Sequence, residues 1–362
     1  MQHTQLLNCL IRKIFQRRFC SLGCEFSSFE VKPHTPVMLN EVIQYMKPEP
    51  NQIILDMTFG AGGHSRKLLE SASNIKLFAL DRDPIAHEYA IKLSKEFPGQ
   101  VIPLLGKFSD IPSLFKTQKI YKNCIDGILM DCGCSSMQFD SSERGFALSR
   151  NGPLDMRMDG NQSKDLPKAS DVLARATEGD IYKILKVYGE EKQAKKIARS
   201  IVEARYLFKK LTTTEELADL VDSCFSSDHR IDKLKRPSHN ATKTFQALRI
   251  FVNNELNEIN YGLLLARHYL KLGGRLITLT FHSLEDTIVK RHIMGNLIEN
   301  TANPLPLKYS SHMTKTGDDM MKGIMDINWK MLHKHVLLPS YEEVENNPRS
   351  RSAKFRAAVK IK

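Results

Sequence analysis

The sequence predicts an α/β protein built on a parallel sheet with crossover helices. Three observations carry this: short apolar runs that end at turn residues, helical patterns between them, and a glycine-rich turn directly after the first run. The run at 53–55 ends at Asp56, 77–80 at Asp81, 101–105 at Gly106 and 125–130 at Asp131. Runs this apolar fit strands covered on both faces. A fifth strand is expected at 275–281. It follows Gly273 and Gly274, which read as the stop of a helical stretch over 244–272. Near the C-terminus Phe355, Ala357, Val359 and Ile361 alternate with Lys354, Arg356, Lys360 and Lys362. A period of two marks a half-buried strand, here a closing antiparallel one.

Between Asp140 and about Lys243 no strand pattern appears, whereas Ala194, Ile197, Ala198, Ile201 and Val202 recur at helical spacing. Residues 141–243 therefore read as an inserted helical domain, with 30–140 and 244–362 forming the main α/β domain. Lys195, Lys196 and Arg199 fall on the opposite face of that helix and fit a solvated surface. The stretch 228–243 carries Arg230, Lys233, Lys235, Arg236 and Lys243 around Pro237 and reads as a basic loop open to RNA contact. Residues 301–334 show no period and read as a surface excursion with no assigned job.

Net charge is +12 in 362 residues, which suits a polyanionic partner such as nucleic acid. Residues 1–29 hold Arg12, Lys13, Arg17 and Arg18 against one acid, Glu25, with apolar residues and serines interleaved. This is the pattern of a mitochondrial transit segment and implies a matrix location. Removing those four cations and one acid from +12 leaves +9, so the basic bias extends beyond targeting. No run of about 18 uncharged apolar residues offers a membrane span. The seven cysteines form no Cys-x-x-Cys pair, so reduced thiols and no metal are expected.

The chemistry starts at the turn Asp56-Met57-Thr58-Phe59-Gly60-Ala61-Gly62-Gly63-His64. Glycines after a buried strand let backbone approach a ligand, and the following helix aims free amides at it. Asp81, 18 positions beyond Gly63, stands where an acid accepts hydrogen bonds from ribose hydroxyls. The dinucleotide fingerprint wants a third glycine where Ser65 stands, so the loop suits S-adenosylmethionine better than a nicotinamide dinucleotide. Asp131, followed by Cys132, Gly133, Cys134, Ser135 and Ser136, lies at the carboxyl edge of the fourth strand, where the acceptor would bind. The segment 143–159, with Arg144, Arg150, Asp155 and Arg157, is either a salt-bridged loop or one that orders on binding.

Eight stretches in order then carry a family resemblance: His34 to Val37, DMTFGAGGHS from Asp56, ALDRDP from Ala79, 126–136, ERGFALSRNGPLDMRMD from Glu143, TFQALRIFVNNEL from Thr244, FHSLEDTIVK from Phe281 and NPRSRSAKFR from Asn347. From about His34 onward the chain resembles the RsmH/MraW family. The resemblance implies a Rossmann-like class I S-adenosylmethionine-dependent methyltransferase acting on the 4-amino group of a cytidine in small-subunit ribosomal RNA. With the transit-like leader, it implies the 12S RNA of the mitochondrial small subunit, free or in the assembling mitoribosome. Its cofactor positions match Gly62, Gly63, His64, Asp81, Phe108, Asp131 and Gln138. Cys132 and Cys134 replace usual aliphatic residues and Met137 a usual proline, which touches pocket shape.

Methyl transfer to an amine needs the reacting atoms held in line and an acceptor for the amine hydrogens. Asp131 is the first candidate for that acceptor and His282, just past the fifth strand, the second. Two readings of other classes compete: a nicotinamide-dependent oxidoreductase and a catalytically silent RNA-binding assembly factor.

Overall fold

The four apolar runs form parallel strands β1 (Ile53–Asp56), β2 (Lys76–Asp81), β3 (Val101–Leu105) and β4 (Ile125–Asp131). The computed structural model describes residues 35–160, 162, 166–207, 210–225, 230–231, 237–294 and 328–362. The transit-like segment therefore lies outside the described residues, as do Lys233, Lys235 and Arg236. Each crossover begins with its own stop and start signals. Asp83 caps α3 (Pro84–Glu96) by accepting from the Ile85 N–H, with Pro84 in the first turn. Ser135 and Gln138 form a reciprocal capping box on α5 (Ser136–Asp140). The other early helices are α1 (Leu39–Met46), α2 (Gly63–Ser71) and α4 (Ile111–Thr117).

Four helices follow α5: α6 (Ala169–Arg175), α7 (Glu178–Tyr188), α8 (Ala194–Tyr206) and α9 (Thr214–Ser223). On α8, Ala194, Ile197, Ala198 and Ile201 are buried while Lys195, Lys196 and Arg199 are exposed, as their spacing predicts. The strand-free expectation for this region fails at β5 (Arg230–Ile231) and β6 (Pro237–Ser238), an antiparallel pair. Two residues per strand are too few to leave a period in the sequence.

The expected single helix over 244–272 is two helices and the start of a strand. α10 (Thr242–Asn253) ends at Asn254, whose φ of 54° is left-handed, and α11 (Glu255–Tyr269) begins immediately after. Strand β7 (Leu270–Thr280) starts earlier than expected, because the buried Leu270 pairs with Ile125 on β4. Gly273, at φ +80°, sits where the β4–β7 register shifts, not at a helix end. After α12 (Ser283–Met294) come β8 (Trp329–Met331), α13 (Tyr341–Asn346) and β9 (Lys354–Lys360). The excursion expected at 301–334 is thus partly strand; its residues 301–327 lie outside the described ones.

The seven strands order as β3-β2-β1-β4-β7-β9-β8, parallel through β7 and antiparallel for β9 and β8. β9 is therefore an inner strand covered on both faces, not a half-buried closing one. Its polar residues are accommodated by partners: Arg356 pairs with Asp286 at 2.7 Å, and Lys360 Nζ donates to the Arg267 and Leu270 carbonyls at 2.6 and 2.8 Å. Two apolar cores flank the sheet. One holds Val42, Met46, Leu68, Ile277 and Phe355; the other holds Leu55, Phe78, Ile128 and Met130 and runs on continuously into α7, α8 and α9. Strand order reverses between β1 and β4, which opens a crevice at their carboxyl ends.

Candidate active site at the carboxyl edge of the sheet

Asp56, Asp81 and Asp131 end β1, β2 and β4 at one side of this crevice. Asp56 shapes the loop: Oδ2 accepts from the Ser65 hydroxyl at 2.6 Å and Oδ1 from the Thr58 N–H at 3.0 Å. Burial pushes its carboxyl up to about 6. Gly62 caps α2 at φ +80°, and a Cβ there would lie 2.5 Å from the Phe59 ring. Gly63 is as tight: a Cβ would lie 2.4 Å from Pro36 Cγ. Both glycines are needed to fold the loop over α2, before any ligand is considered.

Asp81 accepts from the Gly60 N–H at 2.8 Å and from the Asp83 N–H at 2.9 Å, one on each oxygen. Burial, opposed by those two N–H groups, places it at about 6. His64 Nε2 lies 2.9 Å from the Val37 carbonyl oxygen, which can only accept, so Nε2 carries a proton and Nδ1 faces Asp131 Oδ2 at 3.8 Å. Asp131 differs from its two neighbours. Its N–H donates to Thr58 Oγ1 at 2.6 Å, but Oδ1 is buried without a hydrogen-bond partner. Burial, reinforced by Asp56 and Glu285, pushes Asp131 up to about 8.

Gln138 is buried, not on the surface. Its amide donates to Asp83 Oδ2 at 2.8 Å and to the Met158 carbonyl at 3.3 Å, and its oxygen accepts from the Ser135 N–H. One lone pair on that oxygen is left over. Arg144 also reaches Asp83 at 2.8 Å and the Met158 carbonyl at 2.7 Å, while Arg157 pairs with Asp155 at 2.7 Å. The 143–159 segment is thus a salt-bridged loop.

On the far side of Asp131, Arg249 pairs bidentately with Glu255, both bonds 2.9 Å. Glu285 lies 2.9 Å from His282 Nε2 and accepts from the Phe281 N–H at 2.7 Å. Burial would raise Glu285, but His282, Arg249 and that N–H hold it below the usual carboxylate range. Glu255, His282 and Glu285 bring three ligand-type atoms within 4.8 Å of one another. The Arg249 guanidinium already neutralises this cluster, so it is an ion-pair network. Cys134 stands in the wall nearby, and burial pushes its thiol up to about 12. It is a neutral, unreactive group.

A cavity of about 590 Å³ joins these parts. Gly63, His64, Asp81, Phe108, Asp131 and Gln138 line it; Gly62 lies behind the wall and His282 outside it, turned to Glu285. Sequence reasoning missed Arg249, Glu255, Arg349 and Arg351, which also line it. Arg349 and Arg351 belong to a strongly basic stretch, Arg249 and Glu255 to a largely uncharged helical one, and only folding shows which charges face inward. Two half-buried carboxylates in the lining, Asp81 and Asp131, suit a ligand carrying positive charge. They would repel the diphosphate of a dinucleotide. The donor set therefore fits the sulfonium and ammonium of S-adenosylmethionine.

Sheet order, glycine-rich loop and acidic strand ends together define a Rossmann-like S-adenosylmethionine-dependent methyltransferase. The MraW methylase family model matches residues 31–361, and the chain belongs to that family. Among relatives, it is 58% identical over 330 residues to a probable methyltransferase-like protein 15 homolog of Drosophila melanogaster, covering 91% of this chain and 92% of that protein. It is 46% identical to a 12S rRNA N(4)-cytidine methyltransferase of Homo sapiens, covering 91% of this chain and 83% of the other. A putative receptor-type tyrosine-protein phosphatase of Culex quinquefasciatus is 58% identical over 339 residues, 94% of this chain but 23% of that protein.

Proposed function

We propose that this chain transfers a methyl group from S-adenosylmethionine to the 4-amino group of a cytidine in mitochondrial small-subunit 12S ribosomal RNA. The observation that carries the chemistry is the unpartnered, buried Oδ1 of Asp131 in the cavity wall. The relatives' names support the acceptor, and the basic chain supports an RNA.

When bound, S-adenosylmethionine supplies an electrophilic methyl group on a positively charged sulfur. Asp81 and the loop from Gly60 to His64 would hold the cofactor, with Phe108 in the same cavity wall and the free lone pair of Gln138 as one further acceptor. A sulfonium bound beside Asp131 would lower its pKa from about 8 and favour the ionised carboxylate. The cytosine amine is a poor nucleophile because its lone pair is delocalised into the ring. The Asp131 carboxylate accepts a hydrogen bond from it, raises electron density on nitrogen and takes the proton released on transfer. Thr58 Oγ1 anchors the Asp131 backbone N–H, and His64 packs beside the carboxylate with Nδ1 3.8 Å from Oδ2. His282 is held by Glu285 and acts at most through Asp131's surroundings.

A cytidine in folded RNA reaches this depth only when unstacked from its neighbours. The substrate is thus a splayed nucleotide, in free RNA or in the assembling small subunit within the matrix. Among the described residues no helix is long and apolar enough to cross a membrane. The test is methyl transfer from labelled S-adenosylmethionine to 12S RNA, with the modified position mapped, by the wild-type protein and by Asp131→Asn. Label on N4 of one cytidine, lost in the variant, supports the reading. RNA binding without any transfer would favour a silent assembly factor.

A further inference from the structure

The cavity is electrically lopsided. Its floor carries Asp81 and Asp131, while its mouth is formed partly by the short turn of helix Pro348–Ser352, which presents Arg349 and Arg351. These two cations are not equivalent. Arg349 donates to Asp140 at 2.8 Å, with its guanidinium 6.0 Å from the Phe139 ring centroid. Asp140 already takes Arg150 as well. Arg351 is exposed and makes no ion pair or hydrogen bond with any described residue. Arg82 and Arg249 also line the cavity but are paired with Asp159 and Glu255, and with Lys107 and the uncommitted Arg351 guanidinium the cavity suits a ligand that is anionic at one end only.

Taking the RNA reading as its premise, we infer that Arg351 is a binding site for a backbone phosphate of the splayed nucleotide, anchoring the strand at the mouth while the base enters toward Asp131. The floor repels a phosphodiester and the lip attracts it, so charge alone sets which end of the nucleotide goes in. A planar guanidinium also matches two phosphate oxygens at once, which fixes the strand's direction across the opening. Arg349, committed to Asp140, stiffens the turn that carries Arg351 and is a positioning residue. The cofactor also carries a carboxylate, and the two assignments separate in solution.

The experiment measures binding of a single-stranded, cytidine-containing RNA to the full chain by fluorescence anisotropy across salt concentrations. Arg351→Ala, Arg351→Lys and a charge-matched control at exposed Lys95, Lys95→Ala, are compared. S-adenosylmethionine affinity is measured alongside by calorimetry. Arg351→Ala is expected to weaken RNA binding about tenfold and flatten the salt slope by about 0.7, with cofactor affinity unchanged. Arg351→Lys keeps the slope, and Lys95→Ala changes neither quantity. Replacing the phosphate next to the target cytidine by a neutral methylphosphonate should erase the difference between wild type and Arg351→Ala. An unaltered slope in Arg351→Ala, or a loss confined to cofactor affinity, overturns the assignment. Wild-type protein that binds no RNA overturns the RNA reading itself, and with it this one.

Discussion

Asp81 and Asp131 close two strands of one sheet, are both half-buried and are both raised above ordinary carboxylates, to about 6 and about 8. The cofactor half around Asp81 is saturated. Backbone N–H groups of Gly60 and Asp83 take one oxygen each, and the loop is locked by Asp56, Ser65 and two tightly packed glycines. The acceptor half around Asp131 leaves one oxygen without a partner and surrounds it with further negative charge. A carboxylate with its bonds made holds a ligand in a fixed pose. One left unmade is costly in the free protein and is repaid only when a donor arrives. In the proposed mechanism this contrast assigns binding to one half and proton acceptance to the other.

The largest effect should come from Asp131→Asn. Its turnover with RNA is expected to fall by at least about 100-fold and to stay low at saturating cofactor, since an interaction made in the transition state is not replaced by ligand. Full turnover at high cofactor would erase the distinction between the halves. The pH profile sharpens it next. Asp131 accepts a proton only when ionised, so kcat/KM at low cofactor should rise about tenfold per pH unit below about 8 and level off above it, a limb that vanishes in Asp131→Asn. A limb unchanged in the variant would move proton acceptance to another group.

Asp81→Ala should behave in the opposite way to Asp131→Asn. Binding of S-adenosylmethionine, read by calorimetry, is expected to weaken about tenfold, with most of the rate restored at saturation. The smallest effect lies in stability. A carboxyl whose folded pKa is raised adds stability below its unfolded value of 3.8, and that stability is lost as pH climbs toward about 8. Cofactor-free Asp131→Asn should therefore melt a few degrees above wild type at pH 8 and show a smaller gain near pH 5. Equal gains at both pH values would mean that Asp131 does not titrate in this window.

Strands β1 to β4 were legible in the sequence because doubly covered strands need near-continuous apolar runs, and the runs end where the crevice opens. The cofactor loop was legible because its glycines and acids lie close together in the chain. What stayed hidden depends on distant partners. Nothing local marks Asn254 as a break inside a long helical pattern, or β8 as an edge strand of three residues. Arg356 and Lys360 read as the wet face of a strand, yet they are buried against Asp286 and carbonyls far away in sequence. The family resemblance supplied Gln138, and the structure shows why it is buried: it brackets Asp83 and the Met158 carbonyl.

The mouth of the cavity is stitched together across the whole length of the chain. The Met38 N–H donates to Glu343 and the Asn347 amide to the Thr35 carbonyl, pairs 305 and 312 residues apart. Until residues 354–360 insert beside β7, that strand presents an open, sticky edge, and the crevice lacks part of its rim. Contacts of such separation form late and slowly in folding. A chain cut short before residue 354 would therefore keep most of its parallel strands but lose the inner strand β9 and part of the cavity rim.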